Sequence, residues 1–534
     1  MPKRERKPSG RNSIGEMFRK CLLGLTALVL LASGCAMVGP DYVKPPAPEP
    51  KEWIEKEDPQ IKSEPTDISK WWTLFNDPVL DSLIETAYKQ NLPLRIAGIR
   101  ILQARAVLGI ATGTLYPQQQ AASGSYTRTS ASTTAANIPP GFDASFGNYN
   151  LGFDAAWELD FWGRFRRDVE SSLRNLEATV ADYDDTLVAV TAEVARTYVV
   201  IRTLEERLVV ARENVKIQER SVQIARVRFE GGDVSELDVT QATSLLKETE
   251  ALIPRLEAQL RQTKNALAIL LGMLPGDIQA MLSGPELIPK VPSEVAVGMP
   301  AELLRRRPDI RSAERQMASQ SARIGVAKSD LYPRFVLFGT IGFSSASSAD
   351  FFSSDSLQAF GGPGFTWNLF HYGRIKNRVR VQDALFQQQI VNYQNTVLQA
   401  AQEVEDAIVA FLRTQEEAKF LGESVKAYKR SSDLSMLQYR EGLVSYQRVL
   451  DTQRFLTLAQ DSYTTTRGSV VTSLVALYKA LGGGWETRIG RDFVPEETKE
   501  EMQERTNWGK LLKTTTSEEP TPEKEQRLWR SPDW

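Results

Sequence analysis

One histidine (His371) and two cysteines (Cys21 and Cys35) are all that 534 residues offer to metal, thiol or acid–base chemistry. Most zinc sites, histidine-based triads and redox dithiols need more. The phosphate loop GxxxxGK, the nucleophile elbow GxSxG and the zinc motif HExxH are also missing. Neither sign of charge dominates: 65 Lys and Arg stand against 67 Asp and Glu. A polyanion-binding protein would carry a basic excess. No catalysis, metal, cofactor or nucleic acid is expected.

The N-terminus has its own character. Lys3, Arg4, Arg6, Lys7, Arg11, Arg19 and Lys20 oppose only Glu5 and Glu16, and an apolar run, 22–32, follows. A basic start, a run too short for a permanent span, and the small residues Ser33-Gly34 before Cys35 describe a secretory signal over 1–34. The ending LASGC resembles the bacterial lipobox, with Ala32 where leucine is usual. That resemblance implies that Cys35 is lipidated and becomes the mature N-terminus. Cleavage there removes seven of the 65 bases and two of the 67 acids, leaving a net charge of −7 and no possible internal disulfide.

The remainder is written twice. ARAVLGIATGTLYP (104–117) is echoed by SARIGVAKSDLYP (321–333), with Gly109 on Gly325 and Tyr116 on Tyr332, 216 residues apart. WELDFWGR (157–164) is echoed by WNLFHYGR (367–374), and RFEGGDVSELDV (228–239) by QYREGLVSYQRV (438–449), both 210 residues apart. Landmarks in one order at nearly one spacing mark an internal duplication. The first copy is assigned to 69–302 and the second to 303–490, after an extension over 35–68. Residues 491–534 are charge-rich and aperiodic and are expected to be a poorly ordered tail.

Each copy holds a long heptad pattern. From Leu173 to Phe229 the 3-4 alternation is interrupted only by Thr197 and Gln218; the second copy keeps phase from Phe386 through Phe411 to Tyr439. A 3.5-residue period means left-handed coiled-coil packing. Gly163 to Glu230 gives about 100 Å of helix. Gly231-Gly232 and Glu441-Gly442 then turn the chain into return helices over 234–271 and 445–481, the first of which Pro254 should kink.

Between the LYP and GR landmarks the period falls to two. Tyr149, Leu151, Phe153, Ala155, Trp157 and Leu159 alternate with Asn148, Asn150, Gly152, Asp154, Ala156 and Glu158, as in a strand apolar on one side only. Its length suits a tilted transmembrane strand. Strands are expected at 118–128, 148–159, 334–344 and 358–370. Four strands cannot close a barrel, and open edges are not tolerated in lipid, so several chains must share one.

These landmarks resemble the TolC-like outer membrane efflux proteins, in particular their NodT-type lipoprotein subfamily. The matching residues include Val38-Gly39-Pro40-Asp41-Tyr42, Trp71-Trp72, Gly163-Arg164 and, above all, PAELLRRRPDIRSAERQMASQSARIGVAKSDLY (300–332). The resemblance implies an α+β membrane protein: a homotrimer whose 12-stranded outer membrane barrel continues as a coiled-coil tunnel through the periplasm. It implies the passive exit duct of a tripartite pump for drugs or other small toxic compounds. The partners would be a periplasmic adaptor, an inner-membrane resistance-nodulation-division transporter and outer membrane lipid. The family pattern places an inward-facing periplasmic gate at Gln447, Asp451 and Arg454, although Gln447 stands where an apolar residue is usual. It places adaptor docking at Gly231, Gly232, Gly442 and Leu443. A type I secretion duct and a non-transporting coiled-coil lipoprotein are the alternatives. Without the resemblance, Asp451 and Arg454 read as a solvated i,i+3 pair.

Overall fold

A computed structural model describes residues 37–512, apart from 49, 63–66, 135, 137–138, 140, 142, 284–286, 293–294, 297 and 299–304. The signal 1–34, Cys35 and residues 513–534 lie outside the described residues. A 3₁₀ turn, Trp71–Phe75, leads to α1 (Pro78–Gln90), α2 (Leu92–Gly113), the strands β1 (Gln119–Ser130) and β2 (Ser145–Leu159), then α3 (Arg164–Glu230) and α4 (Glu236–Leu270). The second copy supplies α5 (Pro308–Ser329), β3 (Arg334–Ser345), β4 (Leu357–Thr366), α6 (Arg374–Arg440) and α7 (Tyr446–Ala480). No described helix is long and apolar enough to cross a membrane.

The duplication is visible in matched lengths: α3 and α6 have 67 residues each, α4 and α7 have 35 each. Both long helices stop on the same device. Gly232 (φ 80°) and Gly442 (φ 74°) take the left-handed conformation. The amides of Asp233 and Leu443 then reach back to the carbonyls of Arg228 and Gln438, both at 2.9 Å, closing each tip as glycine C-caps do. Helix α4 runs unbroken through Pro254.

The four strands form one antiparallel sheet in the order β1-β2-β3-β4. Residues paired directly across antiparallel strands point to the same face. The rows Ala122–Phe153–Ile341–Ala359 and Gly124–Leu151–Phe343–Leu357 therefore carry the apolar face of β2 across the whole sheet. The opposite face carries Ser123, Asp154, Thr340 and Gln358. Strand β4 ends at Thr366, short of the expected residue 370. Beyond it the chain turns toward α6, and the Trp367 indole donates to the Leu331 carbonyl at 3.0 Å.

The largest core lies midway down the helices, where Trp71 stacks on Tyr478 (5.4 Å, 12°) among Ile201, Phe411 and Leu474. Nearby, Asp184 is fully buried. It accepts from Arg488, including Nη2 to Oδ2 at 2.9 Å, and lies 3.5 Å from Arg311. The poorly ordered tail is corrected for residues 491–512. Helix α8 (Glu496–Arg505) forms there, and Val494 and Met502 pack with Leu102 in a buried cluster. Phe493 packs edge-on against Tyr183 at 5.1 Å. The apolar residues of this segment are too few to show a period, but Phe493, Val494 and Met502 find sites on α2 or α3.

Candidate functional site

The two helical hairpins, α3–α4 and α6–α7, meet along a seam between α3 and α7. Within a hairpin, Leu204, Leu208, Ala211 and Leu256 join α3 to α4, flanked by the Lys264–Glu205 and Arg212–Glu257 ion pairs. Between hairpins, α3 and α7 share the central apolar core through Ile201, Val471 and Leu474, and polar contacts run from there toward the tip. Arg467 pairs with Glu206, and Arg207 holds Asp461 through two hydrogen bonds of 2.8 and 3.0 Å. Further along, Asn214 Nδ2 donates to Gln460 Oε1 (2.9 Å), Gln218 Nε2 to Thr457 Oγ1 (3.4 Å) and Gln453 Nε2 to Ser221 Oγ (2.7 Å). Gln218, which interrupts the heptad stripe, is buried in this seam. The interruption was a signal of a polar interface and not a lapse of the coiled coil.

At the tip, a second set of contacts latches one hairpin to the other. The Tyr439 hydroxyl donates to Asp238 Oδ2 at 3.0 Å, and the Arg228 guanidinium caps the Tyr439 carbonyl while lying over its ring, 4.7 Å from the centroid. Tyr439 and Tyr446 pack edge to face at 5.2 Å. Burial, then the Asp238 carboxylate, raises the Tyr439 hydroxyl above its usual range; burial first raises that of Tyr446 too. Both stay protonated, so Tyr439 remains a donor at any physiological pH. Sequence reasoning missed Arg228, Asp238 and Tyr439 as a unit, because each lies on a different helix.

The expected gate residues follow on α7. Gln447, Asp451 and Arg454 are all exposed in the single chain. Gln447 Nε2 donates to Asp451 Oδ1 (2.9 Å), and Gln447 Oε1 accepts from Gln241 Nε2 (3.3 Å). Arg454 does not pair with Asp451 as its i,i+3 spacing suggested; it reaches across to Glu248 on α4 at 3.7 Å. Asp451 therefore carries its charge with no ion pair among the described residues, held by one amide. The expected docking residues Gly231, Gly232, Gly442 and Leu443 are exposed at the two tips, with Leu443 74% accessible. No group of His, Cys, Asp and Glu among the described residues could hold a metal.

Two copies of a strand hairpin feed 67-residue helices whose tips are latched by hydrogen bonds. Comparison with known proteins decides the family. The outer membrane efflux protein family matches residues 83–273 and 299–483. The chain belongs to that family. As an outer membrane efflux protein it is a channel component and not an enzyme. Nodulation protein T of Rhizobium leguminosarum bv. trifolii is 30% identical over 456 residues, which cover 85% of this chain and 96% of that protein. The probable efflux pump outer membrane protein TtgC of Pseudomonas putida is 30% identical over 481 residues, covering 88% and 97%. The solved outer-membrane channel OprN superposes with a TM-score of 0.79 at 32% identity, over 84% of this chain and 99% of that one. The efflux protein thus sits at the outer membrane with its helices extending into the periplasm.

Proposed function

We propose that three copies of this efflux protein close one 12-stranded barrel and continue as a helical tunnel, forming the exit duct of a tripartite pump for drugs or other small toxic compounds. The sheet carries the reading: the rows through Phe153 and Leu151 are free of polar side chains in all four strands, and its outer strands β1 and β4 each have one unpaired edge within the chain. Hydrocarbon does not tolerate such edges, so a sheet that spans the membrane must close with further strands. Relatives named as efflux-pump components support small-molecule export over protein secretion. A periplasmic adaptor and a resistance-nodulation-division transporter are the partners. The adaptor docks at the tips around Gly231, Gly232, Gly442 and Leu443. Cys35 carries the lipid that adds an outer membrane anchor to the barrel.

Gln447, Asp451 and Arg454 line the resting gate, with the Asp238–Tyr439–Arg228 latch just below. Asp451 lies five residues into α7, about 8 Å along its axis from Tyr446. A threefold axis would make it a ring of carboxylates favouring cations. Planar-bilayer recording tests the duct and the gate together. The wild type should conduct poorly and prefer cations, and Asp451→Ala should lose the preference. Absence of any conductance from purified, reconstituted trimer would overturn the duct, whereas an unchanged preference would overturn only the gate assignment.

A further inference from the structure

The duplication supplies a template for the contact between neighbouring chains. Within each copy the same bond recurs: Trp157 Nε1 donates to Leu115 O at 3.2 Å, and Trp367 Nε1 to Leu331 O at 3.0 Å. The copies are therefore equivalent in space as well as in sequence. Where the first copy meets the second, three contacts form at the base of the sheet. Trp162 stacks on Tyr332 (4.7 Å, 25°), and its indole donates to Pro333 O at 2.8 Å. The Arg167 side chain covers Gly325 so closely that a Cβ there would lie 2.9 Å from its Cγ.

Two of the twins at the outer ends of the chain, Tyr372 and Gly109, have no such cover. Tyr372, the twin of Trp162, is 98% exposed. Gly109, the twin of Gly325, has nothing within 4 Å of where a Cβ would stand. Asp160 caps the N-terminus of α3 through the amides of Phe165 and Arg166 at 3.1 and 3.0 Å. Its twin Phe370 cannot cap α6 and is 86% exposed. One junction is polar and finished inside the chain; the other is aromatic and bare. The free edges of β1 and β4 lie on these same two sides.

We infer that Tyr372 of one copy packs on Tyr116 of the partner subunit, and that the first turn of α6 around Asn377 covers Gly109 of the partner subunit. The occupant of the bare junction is a second copy of this chain, because among the described residues the surface that fits it is the one its twin meets inside the chain. Tyr372 adopts a left-handed backbone (φ 48°) that Trp162 does not, so the contact repeats in position and its ring angle is its own. This inference rests on the shared barrel proposed above.

The test is cross-linking of full-length protein in outer membrane vesicles. Tyr372→Cys with Tyr116→Cys, treated with a short bismaleimide, should convert most of the monomer band into a covalent ladder ending at trimer. Each single variant should give no ladder, which controls for Cys35. Trp162→Cys with Tyr332→Cys should cross-link within one chain and stay at monomer size. An amine-reactive cross-linker applied in parallel reports the trimer itself. Trimer by amine cross-linking with no bismaleimide ladder overturns the Tyr372–Tyr116 contact and leaves the barrel standing. No trimer in the wild type by the amine-reactive reagent, and no ladder in the cysteine pair, overturns the shared barrel and this contact with it. If the tyrosine pair disturbs assembly, Asn377→Cys with Gly109→Cys reads the same interface through residues that are open in the chain. A ladder there sustains the inference and its absence removes it.

Discussion

Ala155→Arg offers the sharpest test of the membrane-facing side of the sheet. Ala155 stands on the apolar face, midway between Leu151 and Leu159 on β2, and its row partners are Gln120, Gly339 and Gly361. Eight residues separate Leu151 from Leu159, about 27 Å of strand at ~3.4 Å each. Tilted by ~40°, that becomes roughly 21 Å of bilayer, close to the ~25 Å apolar band of such barrels. Ala155 is then near the midplane. The glycines beside it leave room for a long side chain, so the loss should be electrostatic and not steric. An arginine at that depth costs ~2–4 kcal/mol per chain. Asp154→Arg, one residue away on the polar face, should cost less than about 1 kcal/mol, because an arginine facing the water-filled lumen keeps its hydration. Urea unfolding in lipid vesicles, followed by tryptophan fluorescence with linear extrapolation, gives both values. Equal losses, or a larger loss at residue 154, would refute the orientation of the sheet.

Four further outcomes are expected. Asp184→Ala should destabilise by ~3–5 kcal/mol, since it leaves Arg488 buried without its carboxylate; Asp184→Leu with Arg488→Met should recover much of that in thermal unfolding, and failure to recover would count against an ion-pair origin. Asp185 is pushed up to about 6, first by desolvation and then by the Asp309 and Asp182 carboxylates. A carboxyl raised on folding stabilises most below its unfolded value near ~4 and loses that contribution as pH rises through 6. Its carboxyl sits among neighbouring protein atoms yet keeps solvent access, so the effect is modest; Asp185→Asn should flatten stability between pH 4 and 7, and an identical pH profile would remove Asp185 as its source. Tyr439→Phe breaks the bond to Asp238 and should raise resting conductance with little change in trimer stability; an unaltered conductance would make the latch structural only. Gln453→Leu with Ser221→Ala should stiffen the seam between hairpins and lower export in a susceptibility assay at normal protein level, whereas unchanged export would mean the seam does not move.

How far the sequence disclosed this arrangement varied with the range of the interaction concerned. Features set by local periodicity were legible. The heptads placed α3 and α6, and the glycines at 232 and 442 placed both tips, because a left-handed residue is a local demand. The two-residue alternation of β2 gave its faces, and the observed register extends them across three partners. Features that depend on contacts between distant segments were not legible. Arg454 reads as a neighbour of Asp451 on one helix, yet Glu248 on α4 is what it meets. The end of β4 depends on Trp367 finding the Leu331 carbonyl, 36 residues away. Helix α8 owes its place to Leu102 and Tyr183, about 400 and 300 residues earlier, which no window over 491–512 contains.

The chemistry of the seams bears on how such a duct could open. Sliding an apolar coiled-coil seam by part of a residue opens voids, and packed cores charge for each void by lost contacts. The α3–α4 seam is of that kind from Leu204 to Ala211, so each hairpin should move as a body. Tipward of the central core, the α3–α7 seam is a ladder of amides, hydroxyls and ion pairs, with spare acceptors on Gln218 Oε1 and Gln453 Oε1. Such groups can exchange one partner for the next, or for water, at roughly 0.5–1.5 kcal/mol each. A displacement of one hairpin against the other therefore passes through states that keep most of their hydrogen bonds. The cross-hairpin ion pairs Arg207–Asp461 and Arg467–Glu206 lie just tipward of the central core, and the exposed contacts of Gln447 and Arg454 lie nearer the tip. At the tip the Arg228–Tyr439–Asp238 latch and the buried cluster around Tyr446 hold the hairpins together. Releasing that latch would let the tips part while the apolar core above keeps the upper tunnel in shape.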